Sequence, residues 1–366
     1  LCAAPCMALA PQRRGDVTAP AAEVFAFLEE VSDKERAAMK IGFYMGWNKN
    51  NSKGDVIGDE LLAEALCREL RKDESVESAE LYAPNFPVRC SLDVMIYLED
   101  NVPPTRQWAR KHVLYWQSAA HDETAEELFR RFYSWKYDGY LFFSEPLFSQ
   151  HVRAGFKGLL LPFGVDADLF YPRGEDIRYR CDVSYVGNDI KGTERTMRYL
   201  YPATEFDFAL FGNWKIQRHR FRFWKNRKLE RSLPPYKKLF EKLSRGRIEE
   251  EDVPLLYSNA KVNLNCSMQK AVEWGVVSLR VYQILACKGF LISDPIPAAE
   301  KQLRGKVVFS DGGSDLKEKI TYYLVHEKER LDIAQRGYDY VLGSETVAMR
   351  AKKLLSYLEG LLYENG

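Results

Sequence analysis

Candidate chemistry in this sequence centres on residues 273–294, EWGVVSLRVYQILACKGFLISD. A Trp-Gly loop precedes Ser278, a suitable helix N-cap, and an apolar helical pattern follows over residues 279–287. Backbone N–H groups and the dipole at such a helix start favour an anion, so we expect Ser278, Leu279 and Arg280 to meet a phosphate. A cation in the first turn is unfavourable unless an anion lies beside it. The alternative is an ordinary helix–strand unit with Arg280 paired on the surface.

A second candidate region follows a predicted strand that ends near residue 116. His121 stands beside Asp122 in the polar run Ser-Ala-Ala-His-Asp-Glu. An imidazole next to a carboxylate can act as a general base near neutral pH. Adjacent side chains seldom point the same way, so the run can equally be a helix start whose acidic residues favour the dipole.

A third candidate region is the polar, glycine-containing loop after the first predicted strand. Ligands of open α/β sheets bind at the carboxyl ends of the strands, so polar side chains here are candidate acceptor contacts. Solvation and helix capping are the alternative for each of them. The candidates are Asn48, Asn51, Asp55 and Asp59. The loop glycines do not have GxGxxG spacing, and the sequence contains no P-loop GK[ST].

The composition is typical of a globular protein with two domains. At 366 residues, 46% of them hydrophobic, the chain is too long for one ordinary core. A net charge of +1 gives no overall attraction to nucleic acid or membranes, and we expect no nucleic-acid partner. The seven cysteines include no CxxC pair, which favours a reducing cytoplasm over a disulfide framework or a zinc site.

Targeting signals are not predicted. No apolar run approaches the roughly 20 residues that a membrane-spanning helix needs. The first ten residues are apolar but lack a basic leader, so we expect no secretory signal, although a processed start remains open. The sequence therefore favours a cytoplasmic protein.

Strands that alternate with helices position the candidate residues. The predicted strands of the first series are 41–45, 80–82, 93–98, 112–116 and 139–144, with helices near 61–70 and 123–135. The second series has strands 181–187, 208–211, 262–265, 290–293 and 306–310, with helices 252–260, 279–287 and one from about 315. This order predicts an α/β protein with two Rossmann-like domains and mostly parallel sheets.

The predicted domain limits follow from turn and proline signals. Two prolines and a Gly-Val-Asp turn within 158–172 suit an interdomain linker. We therefore expect an N-terminal extension over 1–38, with one helix over 21–38, and a first domain over 39–163. The second domain is expected over 164–345, followed by a C-terminal helix within 346–366.

A basic insertion interrupts the second series at residues 214–248. It contains thirteen Lys or Arg against two acidic residues, with aromatic residues interleaved. Such a stretch can dock on an anionic membrane surface or follow a nucleic-acid backbone, but no nucleic-acid-binding motif accompanies it. A solvated, partly helical excursion is the alternative.

Four ordered motifs carry a family resemblance. They are DVSYVGN at 182–188, DVPLLYSNAKVNLN at 252–265, the 273–294 stretch, and the run from 315 to 355. In order and spacing they are similar to the C-terminal domain of family-1-like glycosyltransferases of the spore-maturation-protein (CgeB-like) type. LLLPFGVDADLFYP at 159–172 resembles the segment that joins the two halves of such proteins.

The resemblance implies a GT-B fold, in which two Rossmann-like domains face each other across a cleft. The C-terminal domain would bind a nucleotide-sugar donor and the N-terminal domain a hydroxyl acceptor, such as a glycan, a lipid-linked glycan or a protein. No metal or other cofactor would be required, and the last helix would pack back on the first domain. The expected activity is transfer of a sugar, for example in polysaccharide biosynthesis.

The resemblance also implies roles for individual residues. Related retaining enzymes use two glutamates in this region; the second position here is Gln283, and Glu273 is the nearest candidate for the first. Lys191 or Arg195 would neutralise the departing diphosphate. The remaining residues expected on the donor are Gly187, Asn188, Asn213, Trp214, Trp274, Ser278, Leu279 and Arg280. Two rivals remain open: an epimerase or phosphorylase on the same fold, and a catalytically silent sugar-nucleotide or glycan-binding module.

Overall fold

The computed structural model describes residues 38–49, 58–98, 103–116, 124–218 and 223–363. Several predictions fall outside these residues. They are nearly all of the helix expected over 21–38, the residues Asn51, Asp55, His121 and Asp122, and the side chain of Asp59. Within the described ranges, no helix combines the length and the apolar character needed to cross a membrane.

The N-terminal sheet contains six parallel strands. They are β1 (Met39–Tyr44), β2 (Val76–Tyr82), β3 (Leu92–Tyr97), β4 (Ala109–Trp116), β5 (Gly139–Phe142) and β6 (Leu159–Leu160). Their order across the sheet is β2-β1-β3-β4-β5-β6. Ile41, Phe43 and Ile96 are fully buried. Apolar residues therefore run almost continuously along the central strands, as a sheet covered on both faces requires.

Three helices accompany this sheet: α1 (Gly58–Leu70), α2 (Ala125–Ser134) and α3 (Glu145–Arg153). Thr124 and Glu127 form a reciprocal capping box that starts α2. Ser144 caps α3, because the Leu147 N–H donates to its hydroxyl at 3.3 Å. Pro146 lies in the first turn of α3, where its missing N–H has no cost.

The C-terminal sheet contains five parallel strands. They are β7 (Cys181–Val186), β8 (Phe208–Phe211), β9 (Ala260–Asn265), β10 (Leu291–Ser293) and β11 (Val308–Phe309). Their order is β11-β10-β9-β7-β8. The neighbouring helices are α4 (Thr193–Tyr199), α5 (Phe223–Arg231), α6 (Lys237–Leu243), α7 (Val253–Asn259), α8 (Gln269–Glu273), α9 (Leu279–Ala286), α10 (Glu300–Leu303), α11 (Gly313–Val325) and α12 (Glu327–Ser344).

The last helix, α13 (Val347–Tyr363), belongs to the core of the N-terminal sheet. Leu354 and Leu358 are fully buried there. The Tyr140 N–H donates to the Tyr357 hydroxyl at 3.1 Å, which ties the helix to β5. The chain thus crosses back to the first sheet after completing the second, and this return fixes the two sheets to one another.

The structure confirms the alternating series of strands and helices, with shifts of a few residues at the ends. Several elements were not predicted, among them β6 and the helices α3, α4, α8, α10 and α12. The Leu-Leu pair of β6 lies inside the stretch interpreted as a linker, and α3 has only nine residues and a proline in its first turn. The basic insertion contains the short helices α5 and α6.

Candidate active site

A cavity of about 270 Å³ lies between the two sheets. Gly58 and Leu61, at the start of α1, form the wall from the N-terminal half. The opposite wall comes from the ends of β7 and β8 and the start of α9. Seven residues predicted to contact the donor line this cavity: Gly187, Asn188, Lys191, Ser278, Leu279, Arg280 and Gln283. The topology therefore brings these residues together although the first and last of them, Gly187 and Gln283, are 96 positions apart in the sequence.

Two glycines bring the ends of β7 and β8 close together. A Cβ atom at Gly212 would lie 2.2 Å from the carbonyl oxygen of Gly187, and Gly212 has φ +126°. The Gly187 N–H donates to the Phe211 carbonyl at 3.0 Å, and the Asn213 N–H donates to Oδ1 of Asn188 at 2.8 Å. The backbone therefore forms a tight floor that a ligand can approach closely.

The start of α9 presents backbone donors to the cavity. Ser278 has extended backbone at the N-cap position, but its hydroxyl donates to Oδ1 of Asn265 at 3.1 Å and does not cap the helix. The N-cap side chain therefore leaves the first-turn N–H groups without a cap. Uncapped N–H groups and the helix dipole together favour a bound anion.

Arg280 reaches back under the cavity and is held by neutral groups. Its Nε donates to the Val186 carbonyl at 2.8 Å, and a terminal nitrogen donates to Oδ1 of Asn265 at 3.0 Å. The guanidinium also lies 4.8 Å from the ring centre of Tyr185. Across the described ranges, no carboxylate lies within 4.0 Å of Arg280. The alternative of a surface ion pair is therefore wrong, and the positive charge remains available to a ligand.

Lys191 adds a second cation to the same cavity. Burial, with a smaller contribution from repulsion by Arg280, lowers the pKa of Lys191 to about 8. Since both effects oppose the ammonium form, an anion that binds between the two side chains restores it. Arg247 also lines the cavity, so three basic side chains surround one space.

This arrangement predicts that anion affinity depends on pH. A bound diphosphate raises the pKa of Lys191 above its unliganded value of about 8, so binding takes up a proton above that pH. Affinity for UDP or GDP is expected to fall by up to about tenfold per unit as the pH rises from about 8 to 10. Calorimetric titration across this range measures the effect. Lys191→Met should bind more weakly with a flat profile above pH 8, and an equally steep profile in that variant would contradict the assignment.

Two predicted donor contacts do not reach the cavity. Arg195 donates to the Ser267 carbonyl at 2.7 Å and forms an ion pair with the fully buried Asp294. The Trp214 indole is fully buried among Tyr236 and Phe240 and belongs to the second core. The structure therefore places the Trp214 side chain in the core and not in the cavity. Arg195 is engaged inside the C-terminal half.

Trp274 and Glu273 occupy the junction between the halves. The Trp274 ring lies 5.3 Å from that of Trp116, and the Ser144 hydroxyl donates to the Trp274 carbonyl at 2.5 Å. Trp274 therefore joins the halves and does not line the cavity. Glu273 is exposed, pairs with Lys270 at 3.4 Å and faces a separate groove. The structure does not bring this carboxylate to the cavity.

The other candidates lie at the periphery. Asn213 is exposed, and its backbone N–H is held by Asn188. Asn48 is exposed in the loop after β1. Sequence reasoning missed three residues that line the cavity: Arg247, at the end of the basic insertion, and Glu250 and Tyr257, which follow it. An Arg-Gly-Arg turn at 245–247 was the one signal there, because its glycine indicates a sharp turn.

Comparison with known proteins agrees with this architecture. Residues 194–356 match the family model described as glycosyl transferase-like. No curated protein sequence matches the chain. Two facing parallel-sheet units, with the last helix returning to the first, define a GT-B fold.

Solved structures of low sequence identity share the fold. Sucrose-phosphate synthase from Thermosynechococcus elongatus is 12% identical, with a TM-score of 0.62 over 90% of this chain and 100% of that chain. Anabaena Alr3699/HepE in complex with UDP and glucose is 12% identical, with a TM-score of 0.61 over 88% and 100%. The T4 phage β-glucosyltransferase D100A mutant with UDP-glucose is 12% identical, with a TM-score of 0.56 over 89% and 100%.

Proposed function

We propose that this protein is a glycosyltransferase that moves a sugar from a nucleotide-sugar donor to an acceptor hydroxyl. The observation that carries the proposal is the cavity at the start of α9, where Arg280 and Lys191 have no carboxylate partner in the described structure. Neighbours on the same fold were solved with UDP-glucose. The resemblance to the spore-maturation-protein type supports the same activity.

The cavity suits a diphosphate leaving group. As the bond between the sugar and the diphosphate breaks, negative charge grows on the departing phosphate oxygens. Arg280, Lys191 and the N–H groups of α9 are fixed in place to meet this charge, so little reorganisation is needed during the reaction. These groups supply the electrostatic stabilisation that a transferase without a metal cofactor assigns to its protein.

The acceptor would approach from the N-terminal half. A second cavity of about 230 Å³ shares Gly58, Lys191, Ser278 and Leu279 with the first. It extends toward Phe143 and Phe163, beyond the phosphate-binding groups. The sugar would therefore lie where the two cavities meet, with the acceptor hydroxyl on the far side. His121 and Asp122 remain the predicted base.

A ligand screen followed by an activity assay tests the proposal. Thermal unfolding should shift upward with at least one of UDP, GDP, ADP, CMP or dTDP, because a ligand bound only to the native state stabilises it. With the matching nucleotide sugar, release of nucleoside diphosphate should depend on an added acceptor. Donor conversion without any acceptor would favour an epimerase, and binding without turnover would favour a silent module.

We further propose that the basic insertion docks the protein on an anionic membrane surface, on the inner face of the cytoplasmic membrane. Phe240 and Tyr236 anchor α6 in the second core. Helix α5 instead exposes Trp224, with 69% of its surface accessible, together with Lys225 and Lys228. An exposed tryptophan among lysines fits the interface between lipid headgroups and acyl chains.

Liposome co-sedimentation tests the docking proposal. The protein should bind vesicles that contain phosphatidylserine and should be released by salt. The double variant Lys225→Glu/Lys228→Glu is expected to bind at least about tenfold more weakly, since each basic side chain near an anionic surface contributes roughly 1 kcal/mol. Val325→Ser removes a similarly exposed apolar side chain at the end of α11, outside the insertion, and should have no effect. Equal binding to neutral vesicles would refute the proposal.

A further inference from the structure

The cavity contains a carboxylate that no described residue engages. Glu250 begins the short 3₁₀ turn Glu250–Asp252 just before α7, and its half-buried side chain lines the cavity. Within the described ranges, the Glu250 carboxylate accepts no hydrogen bond, and no basic group lies within 4.0 Å of it. A half-buried charge without a partner is unfavourable, so the arrangement points to a ligand that donates hydrogen bonds.

The surroundings of Glu250 strengthen this interpretation. Burial raises the pKa of Glu250, and the neighbouring carboxylates Glu251, Glu64 and Asp166 raise it further. Two of these neighbours are already neutralised within the protein: Glu64 pairs with Lys49 at 2.7 Å and Asp166 with Arg68 at 2.6 Å. Among these four carboxylates, Glu250 is therefore the one that lines the main cavity, and no described basic group pairs with it.

The position of Glu250 along the cavity indicates which part of a donor it meets. Arg280 and Gln283 are separated by three residues on α9, so they lie on the same helix face about 4.5 Å apart along the axis. Gln283 and Glu250 both line the main cavity and a small adjoining cavity of about 20 Å³. Moving along α9 from the phosphate-binding end therefore leads to Gln283, with Glu250 beside it.

In a nucleoside diphosphate, the group bonded to the phosphate is the ribose. We infer that Glu250 accepts hydrogen bonds from the adjacent 2′- and 3′-hydroxyl groups of the donor ribose. Gln283, on the helix, is neutral and makes a weaker contact with hydroxyl donors than a carboxylate does. Glu250 thus supplies from a different segment the charged acceptor that α9 lacks. This inference rests on the proposed function, since it assigns one part of the same donor.

Paired nucleotides test the inference directly. The probes are UDP with 2′-deoxy-UDP and GDP with 2′-deoxy-GDP, titrated by calorimetry into wild type and Glu250→Gln. Wild type should bind the ribonucleotide of its preferred pair about tenfold or more tightly than the deoxy form. In Glu250→Gln this preference should nearly vanish, because the ribonucleotide loses two charged contacts, whereas the deoxy form loses only the contact from its 3′-hydroxyl and weakens less.

Glu251→Gln is the matched control. Glu251 is exposed in the same turn and does not line the cavity, so the variant should keep the wild-type preference. The melting temperature of unliganded Glu250→Gln should equal or exceed that of wild type, since the substitution removes repulsion among carboxylates. This result separates a binding effect from misfolding.

Three outcomes would overturn the inference. If Glu250→Gln keeps the preference for the ribonucleotide, the carboxylate does not contact the 2′-hydroxyl. If the variant weakens GDP and 2′-deoxy-GDP equally while UDP is unaffected, Glu250 recognises the N–H groups of guanine. If wild type binds none of the four nucleotides, nor ADP, CMP and dTDP, the proposed function fails together with the inference.

Discussion

Replacing Arg280 with methionine is expected to weaken nucleoside diphosphate binding on the order of 100-fold, which corresponds to roughly 3 kcal/mol. Methionine preserves much of the side-chain length but removes the charge and every donor. Because no protein carboxylate neutralises Arg280 in the described structure, its interaction with a ligand anion is not offset by a lost ion pair. Calorimetric titration with the nucleotide that gives the largest thermal shift measures the loss.

Arg336→Met is the matched control for this experiment. Arg336 also donates its Nε to a backbone carbonyl, that of Gly305 at 2.8 Å, but it lies on the exposed surface and outside the cavity. Its replacement should leave nucleotide affinity unchanged. Arg280→Lys should fall between wild type and Arg280→Met, since the charge remains while the planar donor geometry is lost. Wild-type affinity in a folded Arg280→Met protein would exclude Arg280 from the phosphate site.

Replacing Gly212 with alanine is expected to lower the free energy of unfolding by about 3–5 kcal/mol. The added Cβ would lie 2.2 Å from the Gly187 carbonyl oxygen, at φ +126°. The clashing atom belongs to the backbone of β7's end, so no side-chain rotation relieves the overlap. Relief requires the ends of β7 and β8 to separate, which would also displace the floor of the cavity. Urea denaturation measures the loss.

Gly305→Ala isolates the contribution of backbone conformation. Gly305 also has positive φ, +74°, but a Cβ there would meet no atom within 4 Å. Its replacement should therefore lower the free energy of unfolding by only about 1–2 kcal/mol, the cost of a left-handed conformation. If both variants lose the same free energy of unfolding, the clash between β7 and β8 adds nothing to the cost of the positive φ angle.

Much of the fold could be predicted from local patterns. The strands β7 and β8 are short apolar runs followed by glycine, and Cys181–Val186 and Phe208–Phe211 agree closely with their predicted spans. The start of α9 was predicted from Ser278 and the apolar periodicity after it. Such signals lie within a few residues of the feature that they specify, so one sequence is sufficient to detect them.

The rest of the site depends on contacts that local patterns do not encode. Trp214 comes shortly after the end of β8, and Asn188 comes shortly after the end of β7. Asn188 lines the cavity, but the Trp214 indole packs into the second core. Leu61 lies in an ordinary amphipathic helix and becomes part of the cavity only because the two sheets face each other. Glu250 stands among three acidic residues, and only the tertiary structure shows which of them faces inward.

A crystal structure with the nucleotide-sugar donor bound tests the central claim most directly. The proposed function predicts that the diphosphate lies at the start of α9, with phosphate oxygens about 3 Å from the side chains of Arg280 and Lys191 and from first-turn N–H groups. The sugar should point toward the N-terminal half, where Gly58 closes the cavity. Donor density at another location, or a diphosphate without contact to Arg280, would contradict the claim.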